Sequence, residues 1–543
     1  MIPDPESRVY ELLRQYDEPT ACAATLICDR HPDDDVAFTV VEPDLSAADL
    51  TYGQLREQST KFAAALSELG IGPGDHVATL MGKSAELVVA LLGIWRRGAI
   101  HVPLFTAFAP PAITHRLRAS DARLVICDAD QLHKITHDDS APSPAPWRVV
   151  VAGPSTTDGV LELAGLIRRH DGVSTAEMTA VTGGSGTLVE LFTSGTTGSP
   201  KGVAVPLRAL ASFHAYQEFG LDVRREDVFW NAADPGWAYG LYYAILSPLA
   251  TGTRSILLHA GFSPPLVWRV MERFGVTNFT AAPTVYRSLL TDPTSVPPTV
   301  RLRRASSAGE PLTPDVISWS RANLGVLVRD HYGQTEHGMF IANAWADGLR
   351  DEVHEGSMGA VLPGWRCNVL DLNTVTAAPS RRMGRVAIDA HNSPLMWFNG
   401  YTNAPDKTAE RFTPDGHWYL TGDIGHVDDE GKFHFCGRDD DVIIMAGYRI
   451  GPFDVESVLV MHPSVIEAAV VARPDHLRGE VLEAFVVLRE GTEGSEDLEK
   501  ELQTLVKKKY AAHAYPRTVH FVTELPKTSS GKVQRHLLRR GML

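Results

Sequence analysis

Strand-length apolar runs alternate with longer amphipathic stretches through the first half of the chain. The runs 77–81, 99–104, 124–127 and 149–151 read as strands, and 9–16, 52–69 and 84–97 carry the spacing of helices. Thr51 is placed to cap the helix over 52–69. The stretch 138–146, rich in Ser, Pro and Asp, is a loop. The alternation resumes with a strand over 188–192 and a helix over 207–219. Strands over 253–258 and 278–282 then flank a helix over 264–274, and a further strand ends at Ser307. Strands alternating with helices predict a mostly parallel, covered sheet. Short β-like segments rich in Gly and Pro come next, among them 418–423 and 442–444. A second, smaller unit follows: a helix over 452–461, strands over 466–472 and 482–488, and a helix over 495–512. A loop over 526–532 ends it.

With 543 residues the chain is too long for one core, so several domains or subdomains are expected. A formal net charge of -15 speaks against nonspecific nucleic-acid binding. Cys22, Cys28, Cys127, Cys367 and Cys436 are scattered and odd in number, without metal-like pairing; they read as reduced thiols of a cytoplasmic protein. The polar start, residues 1–10, is not a signal peptide, and the apolar run near 87–95 is too short to span a membrane.

The chemistry concentrates in a few windows. After the strand over 188–192 come Thr193, Ser194, Gly195, Thr196, Thr197, Gly198, Ser199, Pro200, Lys201 and Gly202. Glycines let backbone N–H groups converge, hydroxyls add donors and Lys201 adds a mobile point charge, which suits a polyphosphate. Pro200 before Lys201 rules out a Walker A loop, and a flexible surface loop is the competing reading. The aromatic, glycine-broken run 229–240 suits an apolar small-molecule pocket or a sheet-edge core. Around Gly309, Glu310 and Pro311, small residues let a flat ring approach the backbone. Asp330, His331, Tyr332, Gly333, Gln334, Thr335 and Glu336 put an aromatic plane, a hydroxyl and a carboxylate close together, a set able to stack a base, bond a phosphate and hold a hard cation. Asp423 closes a strand with a carboxylate suited to ribose hydroxyls, and Arg438 opens a charge cluster. No pair among His259, His331 and His354 has ligand spacing with a carboxylate partner, so these read as solvated or core histidines.

Five of these windows stand in fixed order: 193–202, 308–311, 332–336, 419–423 with 437–438, and 526–532. In this the chain resembles the acyl-adenylate-forming superfamily, nearly end to end. Within it the chain is most similar to medium-chain acyl-CoA synthetases, with acetyl-CoA synthetases as nearby relatives. Residues 332–336, 447–453, 478–481, 484–488 and 515–517 carry that likeness.

The resemblance implies an α/β fold. A large multi-subdomain N-terminal adenylation domain over 1–438 would hold parallel-type sheets, a distorted barrel, and the ATP and acyl pocket. A small mobile α+β domain over 439–543 would swing about Asp440. It implies ATP, Mg²⁺, CoA and a carboxylic acid as ligands, with acyl-CoA formed through an acyl-adenylate. Thr193 to Lys201 would hold the β- and γ-phosphates. Gly309, Glu310 and Pro311 would line the adenine, and Tyr332 would stack on it, with Asp330, His331, Gly333 and Gln334 in the same nucleotide site. Thr335 would bond the α-phosphate, Glu336 would ligate Mg²⁺, and Asp423 and Arg438 would hold the ribose. Lys532 would reach the carboxylate and α-phosphate; Lys532, Thr335, Glu336 and Lys201 form the implied catalytic set. Ala446, Gly447, Tyr448 and Arg449 would meet pantetheine and nucleotide, and Arg478, Tyr515, Pro516 and Arg517 the rest of CoA.

Acetyl-specific relatives carry a bulky Trp where Gly333 stands, so the resemblance implies room for a longer or ring-bearing acyl group, bordered by Trp237; a purely backbone need for glycine is the alternative. His337 and Met445–Ala446 depart from the family pattern. A stand-alone enzyme loading a carrier protein, a short-chain ligase and an ATP-binding regulator are the competing functions. The type of loop that carries Lys532 is one that acetyltransferases modify in relatives, so such an enzyme is an expected partner. The acid, the pathway and the oligomeric state stay open.

Overall fold

The computed structural model describes residues 4–136, 145–193, 200–292, 296–445, 448–475, 479–528 and 532–541. Its strands make three sheets. The first has seven strands in the order Val160–Glu162, Arg148–Ala152, Leu124–Asp128, His76–Leu80, Ile100–Pro103, Thr187–Thr193 and Lys201–Pro206. All neighbours are parallel except the last pair, in which Thr193 stands opposite Lys201. Helices cover these strands, so they read as nearly continuous apolar runs. The helix Tyr52–Glu68 starts where its cap predicts. Gln54 N–H donates to Thr51 Oγ1 at 3.3 Å and Thr51 N–H donates back to Gln54 Oε1 at 2.9 Å, a capping box.

The second sheet has thirteen strands, one of which, Ala47–Thr51, pairs antiparallel with Val36–Val41 at the edge. From Val36–Val41 through Ser255–Leu258, Phe229–Asn231, Asn278–Ala281 and Arg304–Ala308 to Val328–Gln334 it is parallel. From there through Gly338–Ala342, Ser357–Val361, Phe433–Arg438, Trp418–Val427 and Gly384–Asp389 to Cys367–Leu370 it is antiparallel. The distorted barrel implied by the resemblance corresponds to this antiparallel run. Its pairing continues into the parallel strands and does not close on itself among the described residues.

The third sheet is built wholly from later chain: Ile443–Met445, Tyr448–Ile450, Val465–Asp475, Gly479–Leu488 and Thr518–Val522. The helices Pro452–Leu459 and Glu496–Lys509 contribute Val455, Leu459, Leu502 and Val506 to a core shared with Val470, Leu482 and Ala484. The large α/β part and the small α+β part are thus those the pattern predicts.

The helix expected over 207–219 is not uniform. Ala209–Ala215 is α-helical and Tyr216–Gly220 widens into a π turn, as does Leu241–Leu246. Wide turns of this kind gather near functional sites, and here they carry Tyr216, Tyr242 and Tyr243. All five cysteines are free thiols. No helix among the described residues is long and apolar enough to cross a membrane.

Candidate active site

One cavity of about 2000 Å³ opens where the antiparallel pair of the first sheet, the C-terminal ends of the parallel strands of the second, and the small C-terminal part come together. Ligands of open α/β sheets bind at such strand ends. Thr193, Lys201, Trp237, Gly309, Glu310, Pro311, Asp423, Arg438, Asp440 and Lys532 all line it, as do Asp330 through Glu336. Ser194, Gly195, Thr196, Thr197 and Gly198 lie outside the described residues.

At one end, Asp423 and Arg438 face each other across two antiparallel strands. Arg438 Nη1 donates to Asp423 Oδ1 at 2.8 Å, Gln334 Nε2 donates to Oδ2 at 2.6 Å, and the Tyr332 hydroxyl donates to the same Oδ2. Three donors satisfy a carboxylate that is nearly enclosed. Burial and the Asp423 charge hold the Tyr332 phenol far above its usual range. Behind this end, burial pushes the Asp330 carboxyl up to about 8 and the His331 imidazole down to about 3. His331 Nδ1 lies 2.7 Å from Tyr216 Oη. Gly309 follows the strand Arg304–Ala308 at φ +102°, a conformation that favours glycine, with nothing within 4 Å of where a Cβ would sit.

Thr335 and Glu336 sit at the turn between Val328–Gln334 and Gly338–Ala342. Tyr242 Oη donates to the Thr335 carbonyl at 3.1 Å, and Tyr401 Oη donates to Glu336 Oε1 at 2.7 Å. Lys201 Nζ stands 4.9 Å from the centroid of the Tyr401 ring. Burial, then the charges of Arg411 and Lys407, lower the Lys201 ammonium below its usual value. Among the described residues no group of three or more His, Cys, Asp and Glu side chains could hold a metal by itself. A single carboxylate beside a lysine fits Mg²⁺ that keeps its waters and takes its other ligands from phosphates.

Trp237 packs between Phe105 and Phe108, at centroid distances of 5.1 and 5.3 Å, and Tyr239, Tyr242, Tyr243 and Met339 continue the same wall. Gly333 is the other residue expected at the acyl pocket. Its backbone lines the cavity, but a Cβ there would lie 2.2 Å from the Gly338 carbonyl oxygen and 2.7 Å from Met339 Cα. The direction a side chain would take runs into the paired strand, at a register shift between Tyr332 and Gly333. On this backbone glycine admits the close approach of the paired strand.

Lys532 enters from the small C-terminal part, its N–H donating to Thr528 Oγ1 at 3.1 Å. That part is tied across the cavity mouth. Arg287, on the helix Pro283–Thr291, pairs with Glu310 at 3.1 Å and lies 3.7 Å from Glu467, which pairs with Lys527 at 2.7 Å. Asp440 lies 3.8 Å from Arg438 Nε. The residues assigned to CoA are not brought to this cavity: Arg449, Tyr515, Pro516 and Arg517 are not among its lining, and Arg517 stacks on Tyr515 at 3.9 Å. Ala446, Gly447, Arg478 and the Tyr448 side chain lie outside the described residues.

Three residues that the sequence reading passed over, Arg287, Tyr401 and Arg411, are central here. None lies in the windows that concentrate the chemistry in the sequence, and each has partners far away in the chain. Two histidines also have carboxylate partners that spacing concealed: His354 binds Asp428 and Glu430, both at 2.8 Å, and His259 binds Glu42 at 3.1 Å.

Known proteins share this plan. Residues 26–401 match the AMP-binding enzyme family and residues 454–532 its C-terminal domain. Acetyl-coenzyme A synthetase of Bacillus subtilis is 36% identical over 499 residues, covering 90% of this chain and 84% of its own. The mitochondrial acyl-coenzyme A synthetase ACSM3 of Mus musculus is 35% identical over 512 residues, with the same coverages. The crystal structure of the Brucella canis acyl-CoA synthetase superposes with a TM-score of 0.75 at 41% identity, covering 99% of this chain and 98% of its own. With the family match spanning most of the chain and both parts of the fold accounted for, this protein belongs to the AMP-binding enzyme family.

Proposed function

We infer that the protein is an ATP-dependent acyl-CoA synthetase, an AMP-forming acid–thiol ligase. A carboxylic acid attacks the α-phosphorus of ATP to give an acyl-adenylate and diphosphate. The CoA thiol then attacks the mixed anhydride to give acyl-CoA and AMP. The observation that carries this reading is the single cavity into which Lys201, Thr335, Glu336, the Asp423–Arg438 pair and Lys532 all face. Such a reaction needs charge neutralisation and alignment more than a protein nucleophile.

In our reading Lys201 and the loop before it take the β- and γ-phosphates, Thr335 the α-phosphate, and Glu336 the Mg²⁺ that accompanies the nucleotide. Bound there, Mg²⁺ neutralises charge on the phosphate oxygens. Tyr332 with Gly309, Glu310 and Pro311 takes the adenine, Asp423 and Arg438 take the ribose, and Lys532 offsets charge at the reacting phosphorus. Residues 439–543 act as a mobile domain turning at Asp440. The Arg287–Glu467–Lys527 contacts favour the orientation that offers Lys532, and a turn would offer Arg449, Arg478, Tyr515, Pro516 and Arg517 to CoA. Acetylation of Lys532 by a lysine acetyltransferase would remove its charge and stop adenylation; mass spectrometry of treated protein alongside activity checks this. Free thiols throughout support a cytoplasmic setting.

The aromatic wall of Trp237, Tyr239, Tyr242 and Tyr243 supports a medium-chain or aromatic acid. A short-chain acid is the second reading, favoured by the paired-strand backbone that a side chain at Gly333 would meet and by the acetyl-coenzyme A synthetase relative. Pyrophosphate release with MgATP and CoA over acetate, butyrate, hexanoate, octanoate, dodecanoate, benzoate and phenylacetate separates them. Release peaking at mid-length or aromatic acids supports the first and a peak at acetate the second. Turnover only with a phosphopantetheinyl protein would replace both with carrier-protein loading.

A further inference from the structure

Tyr401 has no role in the assignments above, yet three groups at the phosphate end of the cavity converge on it. Its hydroxyl donates to Glu336 Oε1 at 2.7 Å and accepts from Arg411 Nε at 3.1 Å. Its ring carries the Lys201 ammonium at 4.9 Å. The side chain is 6% exposed, and its backbone is fastened to the strand that bears Lys201. Tyr401 bridges to Val203, Thr402 N–H donates to the Gly202 carbonyl at 2.8 Å, and Tyr401 N–H donates to Thr408 Oγ1 at 2.9 Å.

The order of the groups matters. Arg411 in direct contact with Glu336 would neutralise the carboxylate and compete with any cation for it. With a phenol between them, Glu336 gains a hydroxyl donor on one oxygen, and Arg411 reaches it only through that hydroxyl. On the ring face the contact to Lys201 is an electrostatic cation–π contact at 4.9 Å.

We propose that Tyr401 is a positioning residue that holds the Glu336 carboxylate and the Lys201 ammonium in a fixed relation, so that a divalent cation and the terminal phosphates of a nucleoside triphosphate are captured together. This rests on the reading of Glu336 as the cation-binding carboxylate. Partners that orient a metal-binding side chain typically change metal affinity 10–100-fold when removed.

The test is equilibrium ATP binding to the whole enzyme by calorimetry, once with MgCl₂ and once with EDTA; the ratio of the two affinities isolates the metal-dependent part. Tyr401→Phe keeps the ring and removes the donor. It should lower that ratio about 10–100-fold and leave the EDTA affinity unchanged. Tyr401→Leu removes the ring as well and should also weaken binding in EDTA. Glu336→Gln sets the scale by abolishing the ratio, and Tyr401→Phe added to it should have no further effect. If Glu336→Gln abolishes the ratio and Tyr401→Phe leaves it intact, the role of Tyr401 is refuted and that of Glu336 stands. If Glu336→Gln itself leaves the ratio intact, the reading of Glu336 falls and the proposal with it. Should melting show Tyr401→Phe unfolded, Arg411→Gln tests the same chain from its other end. A reduced ratio supports the proposal and an unchanged one overturns it.

Discussion

Gly333→Ala tests what glycine does in the hairpin that carries Thr335 and Glu336. The added Cβ would lie 2.2 Å from the Gly338 carbonyl oxygen, where ordinary contact begins at 3.4 Å, and 2.7 Å from Met339 Cα. These neighbours are backbone atoms of the paired strand, so no side-chain rotation relieves the clash. Overpacking of this kind costs about 1–3 kcal/mol, and a backbone obstacle puts it at the upper end. At about 2–4 °C per kcal/mol for a large domain, the melting temperature should fall by about 5–10 °C. The turn must also shift by several tenths of an ångström or more, displacing Thr335 and Glu336. Misplacement of that order costs about 10²-fold in rate, whatever the acid. The assay is kcat/KM for acyl-CoA formation across acids from acetate to dodecanoate, with thermal melting of the same preparations. The expected result is a uniform loss at every chain length together with a lower melting temperature. An unchanged melting temperature with selective loss of the longer acids would refute the argument and return Gly333 to the acyl pocket.

Lys532→Ala should reduce ATP–pyrophosphate exchange by about 10²-fold or more while ATP affinity changes little; full exchange in the variant would defeat the role given to this lysine. Glu467→Gln breaks the contacts to Arg287 and Lys527. It should slow adenylate formation several-fold yet spare thioester formation from supplied acyl-adenylate, and equal slowing of both would count against a conformational role. Glu218 gives a pH prediction: burial opposes its charge, but His214 and Arg8 hold the carboxyl down to about 2, below its ordinary 4.5. Its folded value is depressed, so its contribution to stability is complete above 4.5 and is lost as pH falls toward 2. Glu218→Gln should therefore flatten the pH dependence of melting in that window, and an unaltered slope would contradict it.

Local signals explain what the sequence made legible. The helix expected over 52–69 is Tyr52–Glu68, since Thr51 and Gln54 settle its start three residues apart. The helix over 495–512 is Glu496–Lys509, capped by Ser495. Strand edges moved where pairing extends them, as in Val465–Asp475, whose partner Gly479–Leu488 follows directly. The π turn at Tyr216 was hidden because Tyr216 answers to His331 and Tyr239, far along the chain. The cavity residues stood out where their chemistry lies within a few neighbours, as from Asp330 to Glu336. Tyr401 and Arg411 did not, for their meaning lies in contacts with Glu336 and Lys201. Gly333 has two readings in the sequence because a missing side chain looks the same there whether it clears a pocket or admits a neighbouring backbone.

The buried cysteines make the enzyme a ready subject for testing whether its parts move. Cys22, Cys28, Cys127 and Cys436 are buried and Cys367 is half-buried. Burial pushes the Cys28 and Cys127 thiols up to about 12 and those of Cys367 and Cys436 further still. Thiol-directed dyes attack the thiolate, so native background labelling should be slight. Cysteines introduced at Tyr10, 54% exposed, and Ile444, 51% exposed, would then be the fast-reacting pair. A donor and an acceptor fluorophore on these sites, one on each part of the chain, would show whether the small domain turns during single turnovers, without first stripping the protein of its own thiols.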